Sequence, residues 1–364
     1  MIFEVNRSDL RSTRVADTPP AALTTGQIRL SVERFAFTTN NVTYAVAGDM
    51  LDYWGFFPAE APWGHIPAMG LATVAESAHP DIDTGGRWFG FHPMANESVI
   101  TAEPKGDGFR DIGEHRGAHA PVYREFRSVE NDSMFRTDKC DEYLLLWGMF
   151  MTSFLVDDHL ADPSNEGGAF LGAAQTLITS ASSKTSISLA ACLAERDGNE
   201  SVGLTSERNR TFVEGLGLYD QVLTYDEVGQ LNPATMSVLV DMAGSGEVRS
   251  SVHNHFVDTL RSSVVVGATH WEDQAGPAAM PGPAPEFFFA PGQNAKLTAD
   301  LGAEELERRM TASFGRLLDS TDRWLTVEHR TGGDGIEATY RDLLEGRTDP
   351  AVGFVCAMDE STLA

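Results

Sequence analysis

Cysteine, positive charge and long apolar runs are all scarce in this 364-residue chain. Its three cysteines, Cys140, Cys192 and Cys356, are far apart and show no paired spacing. That argues against a disulfide framework, rules out a four-cysteine zinc lobe, and points to a reducing compartment, the cytoplasm. Lys and Arg total 27 against 53 Asp and Glu, a formal charge of −26. A surface this acidic repels phosphate backbones, so no nucleic-acid partner is expected. The apolar stretches at 143–156 and 264–268 are too short or too interrupted to span a bilayer, and no membrane association is expected. The opening residues, Met1-Ile2-Phe3-Glu4-Val5-Asn6-Arg7, have no apolar signal core and read as a strand.

Several catalytic signatures are missing as well. Gly244-Ser245-Gly246 is one residue short of a Gly-x-Ser-x-Gly nucleophile elbow and reads as the loop after a strand. Lys184-Thr185 is similar to the end of a P-loop, but the leading Gly-x-x-x-x-Gly is absent. His115 and His119 have metal-compatible spacing only in a helix, which Gly117 opposes, so both read as surface residues. His253 and His255 cannot share one helical face and read as solvated. His65 and Glu76 have no preceding cysteine to complete a catalytic zinc site, and no metal is expected.

What is present suits two domains. The first third is β-rich. Gln27–Phe37 alternates apolar and polar residues, residues 65–77 do the same around Gly70, and Gly85-Gly86 turns into a strand at 87–92. Residues 104–132 are polar and Gly-rich without a period and read as a long surface loop or insertion. The middle alternates short strands (175–180, 201–205, 221–224, 236–242 and 262–267) with helices at 183–195 and 206–216, the second closed by Gly217. That order implies βαβ units and a parallel sheet, an α/β fold. The Pro/Gly stretch 276–285 reads as a linker or lid. Residues 301–318 form an amphipathic helix with Leu306, Met310, Phe314 and Leu317 on one face, followed by a short helix at 338–344 and a last strand at 352–356.

The first strand-to-helix turn, Leu177-Ile178-Thr179-Ser180-Ala181-Ser182-Ser183-Lys184-Thr185, aims a helix N-terminus above the sheet, where anions are favoured. Serine and alanine stand where the glycines of G-x-G-x-x-G would be. Two readings fit. The serines are helix caps, or Ser180, Ser182, Ser183 and Thr185 donate hydroxyls to a diphosphate while Lys184 supplies charge. The second strand ends in Thr205 and Ser206 rather than an acidic residue, with Arg208 and Arg210 one turn on. Hydroxyls plus Arg suit a 2′-phosphate, so NADP(H) is favoured over NAD. The alternative is that both arginines are solvated helix residues screened by Glu207.

The chain resembles the medium-chain dehydrogenase/reductase superfamily in its zinc-independent, quinone-oxidoreductase-like branch. More narrowly, it resembles an uncharacterised family of divergent members of that superfamily. The likeness rests on Gly26-Gln27-Ile28-Arg29-Leu30-Ser31-Val32, Asn40-Asn41-Val42-Thr43-Tyr44 with Gly48, His65-Ile66-Pro67-Ala68-Met69-Gly70, Gly86-Arg87-Trp88-Phe89-Gly90 and the tail 346–355. It departs in the serine-rich turn, in Ala68-Met69 where an acidic residue is usual, and in the stretch 104–132. The resemblance implies a GroES-like β-barrel domain (1–140, with 325–364 returning to it) and an inserted Rossmann-type domain (141–324), with cofactor bound between them in a homodimer. It implies an NADPH-dependent reductase of quinones, enones or related activated C=C small-molecule substrates. Tyr44 is then the candidate catalytic donor and Asn41 an orienting group. Tyr53, Trp54, Phe56 and Phe57 form a substrate wall or, equally, core packing. Thr152 and Ser153, with Gly267, Ala268 and Thr269 at the end of the fifth strand, are placed to touch the cofactor. Two alternatives stay open: a non-catalytic NADPH-binding sensor or scaffold, and an accessory acyl-chain reductase of secondary metabolism.

Overall fold

The structure is a computed structural model and describes residues 1–17, 21–242, 244–266 and 280–362. It divides into two compact units, residues 1–145 with 326–364, and residues 146–325.

The chain opens with β1 (Ile2–Asn6) and β2 (Asp9–Ala16), a hairpin, and continues into β3 (Gln27–Phe37) and α1 (Thr39–Val46). Then follow β4 (Trp63–Gly64), β5 (Pro67–Ser77), β6 (Gly85–Pro93), β7 (Glu97–Lys105), β8 (Gly108–Asp111) and β9 (Glu125–Ser128). Strands β3, β5, β6, β9, β8 and β7 pair in that order, and β7 returns to β3, so six antiparallel strands close a barrel. Closure removes the free edges an open sheet would carry. Alternation along β3 sends Ile28, Leu30 and Val32 inward. Ile28 and Leu30 meet Ala72, Val74, Ile100, Phe109 and Phe126 in the barrel core. Gly70 is required where β5 crosses β3, because a Cβ there would lie 2.6 Å from the Arg34 carbonyl oxygen.

Helix α2 (Cys140–Ala161) leads out of this unit. Its middle, residues 143–156, carries no charged side chain and is largely buried, whereas Asp141, Glu142, Asp157 and Asp158 sit towards its ends. The second unit holds β10 (Gln175–Ile178), α3 (Lys184–Leu193), β11 (Glu200–Thr205), α4 (Arg210–Leu216), β12 (Gln221–Thr224), β13 (Ser237–Asp241), α5 (Gly246–Phe256), β14 (Leu260–Val265), β15 (Glu286–Phe287), α6 (Ala290–Leu301) and α7 (Ala303–Ser320). Its sheet order is β12-β11-β10-β13-β14-β15, parallel throughout. The strands are buried on both faces, by separate clusters around Ile178, Leu189 and Val240 and around Leu204, Leu239 and Phe256. On α7, Leu306, Met310, Phe314 and Leu317 are buried, and Phe314 packs 4.8 Å from Phe150 between ring centroids. The chain ends with β16 (Thr326–Thr331), α8 (Gly332–Leu344) and β17 (Val352–Ala357) in the barrel unit, where β17 pairs with β3.

Four expectations need correction. Residues 104–132 are not a surface loop. They supply β8 and β9, two of the six barrel strands, and bury Phe109, Arg116, His119 and Phe126. Each strand is four residues long, too short to show a period, and Phe109 and Phe126 meet only through pairing, 5.2 Å apart. His119 is buried rather than at the surface. His253 is fully buried, held between the Pro281 carbonyl (2.8 Å) and the Ser263 hydroxyl (2.9 Å), and His255 meets the Leu231 carbonyl at 2.9 Å. Helix α6, with Pro291 and Gly292 in its first turn, occupies residues for which no element was expected. Residues 267–279, which include the last residue of the expected fifth strand and 276–279 of the expected Pro/Gly linker, lie outside the described residues. Among the described residues no helix is long and apolar enough to cross a membrane.

His92, on β6, is fully buried in the barrel unit and neither ring nitrogen has a hydrogen-bond partner. Burial holds its pKa down at about 3, below the unfolded value near 6.5. Below pH 6.5 the unfolded chain therefore binds a proton the folded chain refuses. We expect stability to fall between pH 6.5 and 3 with a His92 contribution of up to about 1.4 kcal/mol per pH unit. Urea unfolding across that range checks this, and His92→Leu should flatten the slope.

Candidate functional site

In the second unit the C-terminal ends of β10, β11 and β13 come together around a buried carboxylate. Asp241 ends β13 with no exposure. Its Oδ1 accepts from the Thr179 hydroxyl (2.8 Å) and the Gly244 amide (3.0 Å), and its Oδ2 pairs with Arg249 of α5 at 2.9 Å. Thr179 Oγ1 accepts in turn from the Met242 amide at 2.9 Å. Through these partners the carboxylate ties the end of β10 to the end of β13.

The serine-rich turn starts from that tie. Ser180 has φ 48°, a left-handed conformation that glycine adopts without strain and serine does not. Its carbonyl accepts from the Ser183 amide at 2.7 Å, and its own amide donates to the Tyr225 hydroxyl at 3.3 Å. Ala181 is buried against β11, donating to the Leu204 carbonyl at 3.0 Å and accepting from the Tyr219 hydroxyl at 2.9 Å. Ser182 lies half-buried, with its hydroxyl 2.9 Å from the Asn209 amide.

Ser183 is the N-cap of α3, its oxygen accepting from the Ser186 amide at 3.2 Å. Its proton is committed as well. Ser186 Oγ donates to the Thr179 carbonyl (2.9 Å), so in the 2.9 Å contact between the two hydroxyls Ser183 must donate. The expectation of a Ser183 hydroxyl facing a phosphate is therefore corrected: that side chain works as a cap. Lys184 and Thr185 occupy the first turn of α3, half-buried, and the Thr185 carbonyl accepts from Ser153 of α2 at 2.7 Å. Thr152 bonds within α2, to the Gly148 carbonyl at 3.2 Å.

At the end of β11, Thr205 is 1% exposed and its hydroxyl has no hydrogen-bond partner. Ser206 follows half-buried, and Arg208 is exposed on the next 3-10 turn. Arg210 is held by Glu227 and by Glu207 at 3.2 Å, which removes it as a candidate anion ligand. Gly267, Ala268 and Thr269 lie outside the described residues. The sequence reading passed over Asp241, Thr179 and Tyr225. An acidic residue closing the apolar run Val238-Leu239-Val240 was the available signal.

In the barrel unit, Tyr44 on α1 is 7% exposed and accepts from the Asn40 amide at 2.7 Å. Burial, with Tyr123 nearby, pushes its phenol far above the ordinary value, so it stays protonated. Rings of Tyr53 (4.5 Å) and Phe91 (6.3 Å) pack on it, and Tyr123 joins through Tyr53 and Phe91. Asn41 faces backbone. Its Oδ1 accepts from the Thr38 amide (2.8 Å) in a capping box, and its amide donates to the Pro67 carbonyl (2.9 Å). Its orienting role is thus on α1 itself, a correction to the ligand-facing role expected. Trp54 is also corrected: at 3% exposure it fills the space left by two glycines, where a Cβ on Gly48 or Gly64 would lie 2.1 or 2.5 Å from the indole. Tyr53 and Phe57 remain half-buried.

A six-stranded antiparallel barrel and a separate parallel α/β sheet, with the chain returning to the barrel, define the class by fold: a GroES-like domain with an inserted Rossmann-like domain. Within that class the chain belongs to the family described as protein of unknown function (DUF2855), which matches residues 35–349. No curated protein matches the sequence. Among solved structures it is similar to CurA from Vibrio vulnificus in complex with NADPH, at 11% identity and a TM-score of 0.61 over 96% of this chain and 94% of that one. It is also similar to YhdH from E. coli K-12 with bound NADPH (12% identity, TM-score 0.56, 99% and 100% coverage). The yhdH oxidoreductase from Salmonella enterica in complex with NADP is a third (12%, 0.53, 96% of each chain).

Proposed function

We propose that this protein is an NADPH-dependent reductase of quinones, enones or related activated C=C compounds. The observation that carries this reading is the turn at 179–185. It stands at the carboxyl edge of a parallel sheet, runs into the N-terminus of α3, and lies beside a β11 end whose Thr205 hydroxyl is buried without a partner. That edge is where doubly wound sheets take nucleotides, and an unmet buried hydroxyl calls for a polar ligand. The residues fit the group. The turn backbone with Ser180, Ser182, Lys184 and Thr185 would hold the diphosphate, Thr205, Ser206 and Arg208 the 2′-phosphorylated ribose, and Thr152 the remainder. NADPH, when bound, supplies a hydride.

The barrel unit's contribution is a proton and a wall. Asn40 donates to the Tyr44 oxygen, which leaves the phenolic proton for an acceptor's developing oxyanion. Asn41 keeps α1, and so Tyr44, in place. Tyr53 and Phe57 offer apolar faces to an unsaturated substrate. The reading also includes a cytoplasmic homodimer. Outermost strand β15 and its flank expose Phe287 and Phe289 at 65% and 62%, an apolar edge suited to a second copy.

Calorimetric titration should show NADPH binding at least tenfold tighter than NADH, about 1.4 kcal/mol. Arg208→Ala should erase that preference by weakening NADPH alone. Absence of binding by either nucleotide would overturn the reading. Tyr44→Phe should lower kcat with quinone or enone acceptors by roughly 10²-fold or more and leave NADPH affinity unchanged; equal loss of both would remove Tyr44 from the chemistry. Sedimentation should give a dimer that Phe287→Asp dissociates, and a monomeric wild type would withdraw that element.

A further inference from the structure

The barrel unit buries a cationic group that the reductase reading leaves without a task. Arg116, in the 3-10 turn Glu114–Arg116, is 1% exposed. Its guanidinium carbon lies 4.3 Å from the centroid of Phe56 and 5.2 Å from that of Phe57. Nη2 donates to the Tyr123 carbonyl. Asp111, 2% exposed, stands 3.6 Å from Nε, which balances charge but is beyond a hydrogen bond. Nε and Nη1 are buried with no hydrogen-bond partner. The same holds for Nε of Arg124 and Nδ1 of His119. His119 packs 4.4 Å from the Phe56 ring, so Phe56 has Arg116 and His119 against it. The imidazole Nε2 meets two acceptors, the Asp52 carbonyl (3.1 Å) and carboxylate (3.0 Å), so it carries the proton. Asp52 is held there with φ 55°, a strained conformation for a residue other than glycine.

Buried donors are nearly always paired, and an unmet charged donor is costlier than a neutral one. In a chain of charge −26, several unmet donors on adjacent cations are out of keeping with the rest of the surface chemistry. We propose that Arg116 anchors a binding site for a small organic carboxylate, with Phe56 as its apolar floor and Arg124 as a second donor. A monoanion suits the place better than phosphate. Asp111 already offsets part of the guanidinium charge, and Asp111 with Asp52 would repel a dianion. The Phe56 and Phe57 rings suit an acid with an apolar or conjugated body. Of the neighbouring residues, Phe57, Tyr123 and Arg124 are half-buried, and Pro121 and Val122 are exposed. The acid could be part of the reductase's acceptor or a separate effector, and the site itself does not depend on nucleotide binding.

Sodium benzoate is the probe, titrated into full-length protein labelled with ¹⁵N-arginine, with sodium chloride at matched ionic strength as control. The Nε–H resonances of Arg116 and Arg124 should move saturably with benzoate and not with chloride. Arg116→Lys should weaken benzoate at least tenfold. If that variant does not fold, Arg124→Gln serves in its place and should weaken benzoate several-fold. No saturable shift, an equal shift with chloride, or unchanged affinity in the variant that folds overturns the site. Cinnamate with NADPH separates the sources. Cinnamate-dependent loss of NADPH absorbance places the carboxylate on the substrate, whereas benzoate-like binding without turnover makes it an effector. Benzoate binding by a protein that takes no NADPH would uphold this site while sinking the reductase reading.

Discussion

Pairing of Phe354, Val355 and Cys356 with Phe37, Ala36 and Phe35 ties the end of the chain to its first long strand. Strand β3 is thereby paired along both edges, with β5 on one side and with β7 and then β17 on the other. Along its paired residues β3 itself therefore offers no free backbone edge. The same pairing makes residues 146–325 an insertion. That insert must then close its own core, and both of its apolar clusters are built from its own residues.

Within the insert, replacing glycine by serine in the first turn changes how the turn is held. Glycine would take the φ of Ser180 at no cost. Serine needs outside support, and Tyr225, Tyr219 and the Thr179–Asp241 tie supply it. The gain is hydroxyls near a helix N-terminus. The loss is that one of them, Ser183, is taken by the helix it starts. A turn built this way is more polar than a glycine-rich one and presents side-chain hydroxyls as well as backbone amides.

In the barrel unit one segment both closes the barrel and supplies an aromatic and cationic cluster. Strands β8 and β9 close the barrel, and the loop between them carries Arg116, His119 and Tyr123 to Phe56 and Tyr53. Tyr44 is therefore surrounded by residues from two distant parts of the chain. Its phenol is kept neutral by burial and oriented by Asn40, a combination suited to giving up a hydrogen bond rather than ionising.

The sequence by itself determined whatever depends on near neighbours. Alternation gave β3 with its observed ends and the parallel strands to within two residues, helical spacing gave the buried face of α7, and small residues before α3 marked the turn. It also placed Thr205, Ser206 and Arg208 at the end of β11, because register along one strand is local. Only the tertiary structure decided what distant residues do to each other. It made Asn41 a cap, Trp54 a filler between two glycines, Arg210 an ion-pair partner, and a polar stretch into barrel wall. Periodicity records which face of an element is apolar. Which carboxylate meets which cation, and which hydroxyl remains unmet, follow from contacts tens to hundreds of residues apart, and no local pattern encodes them.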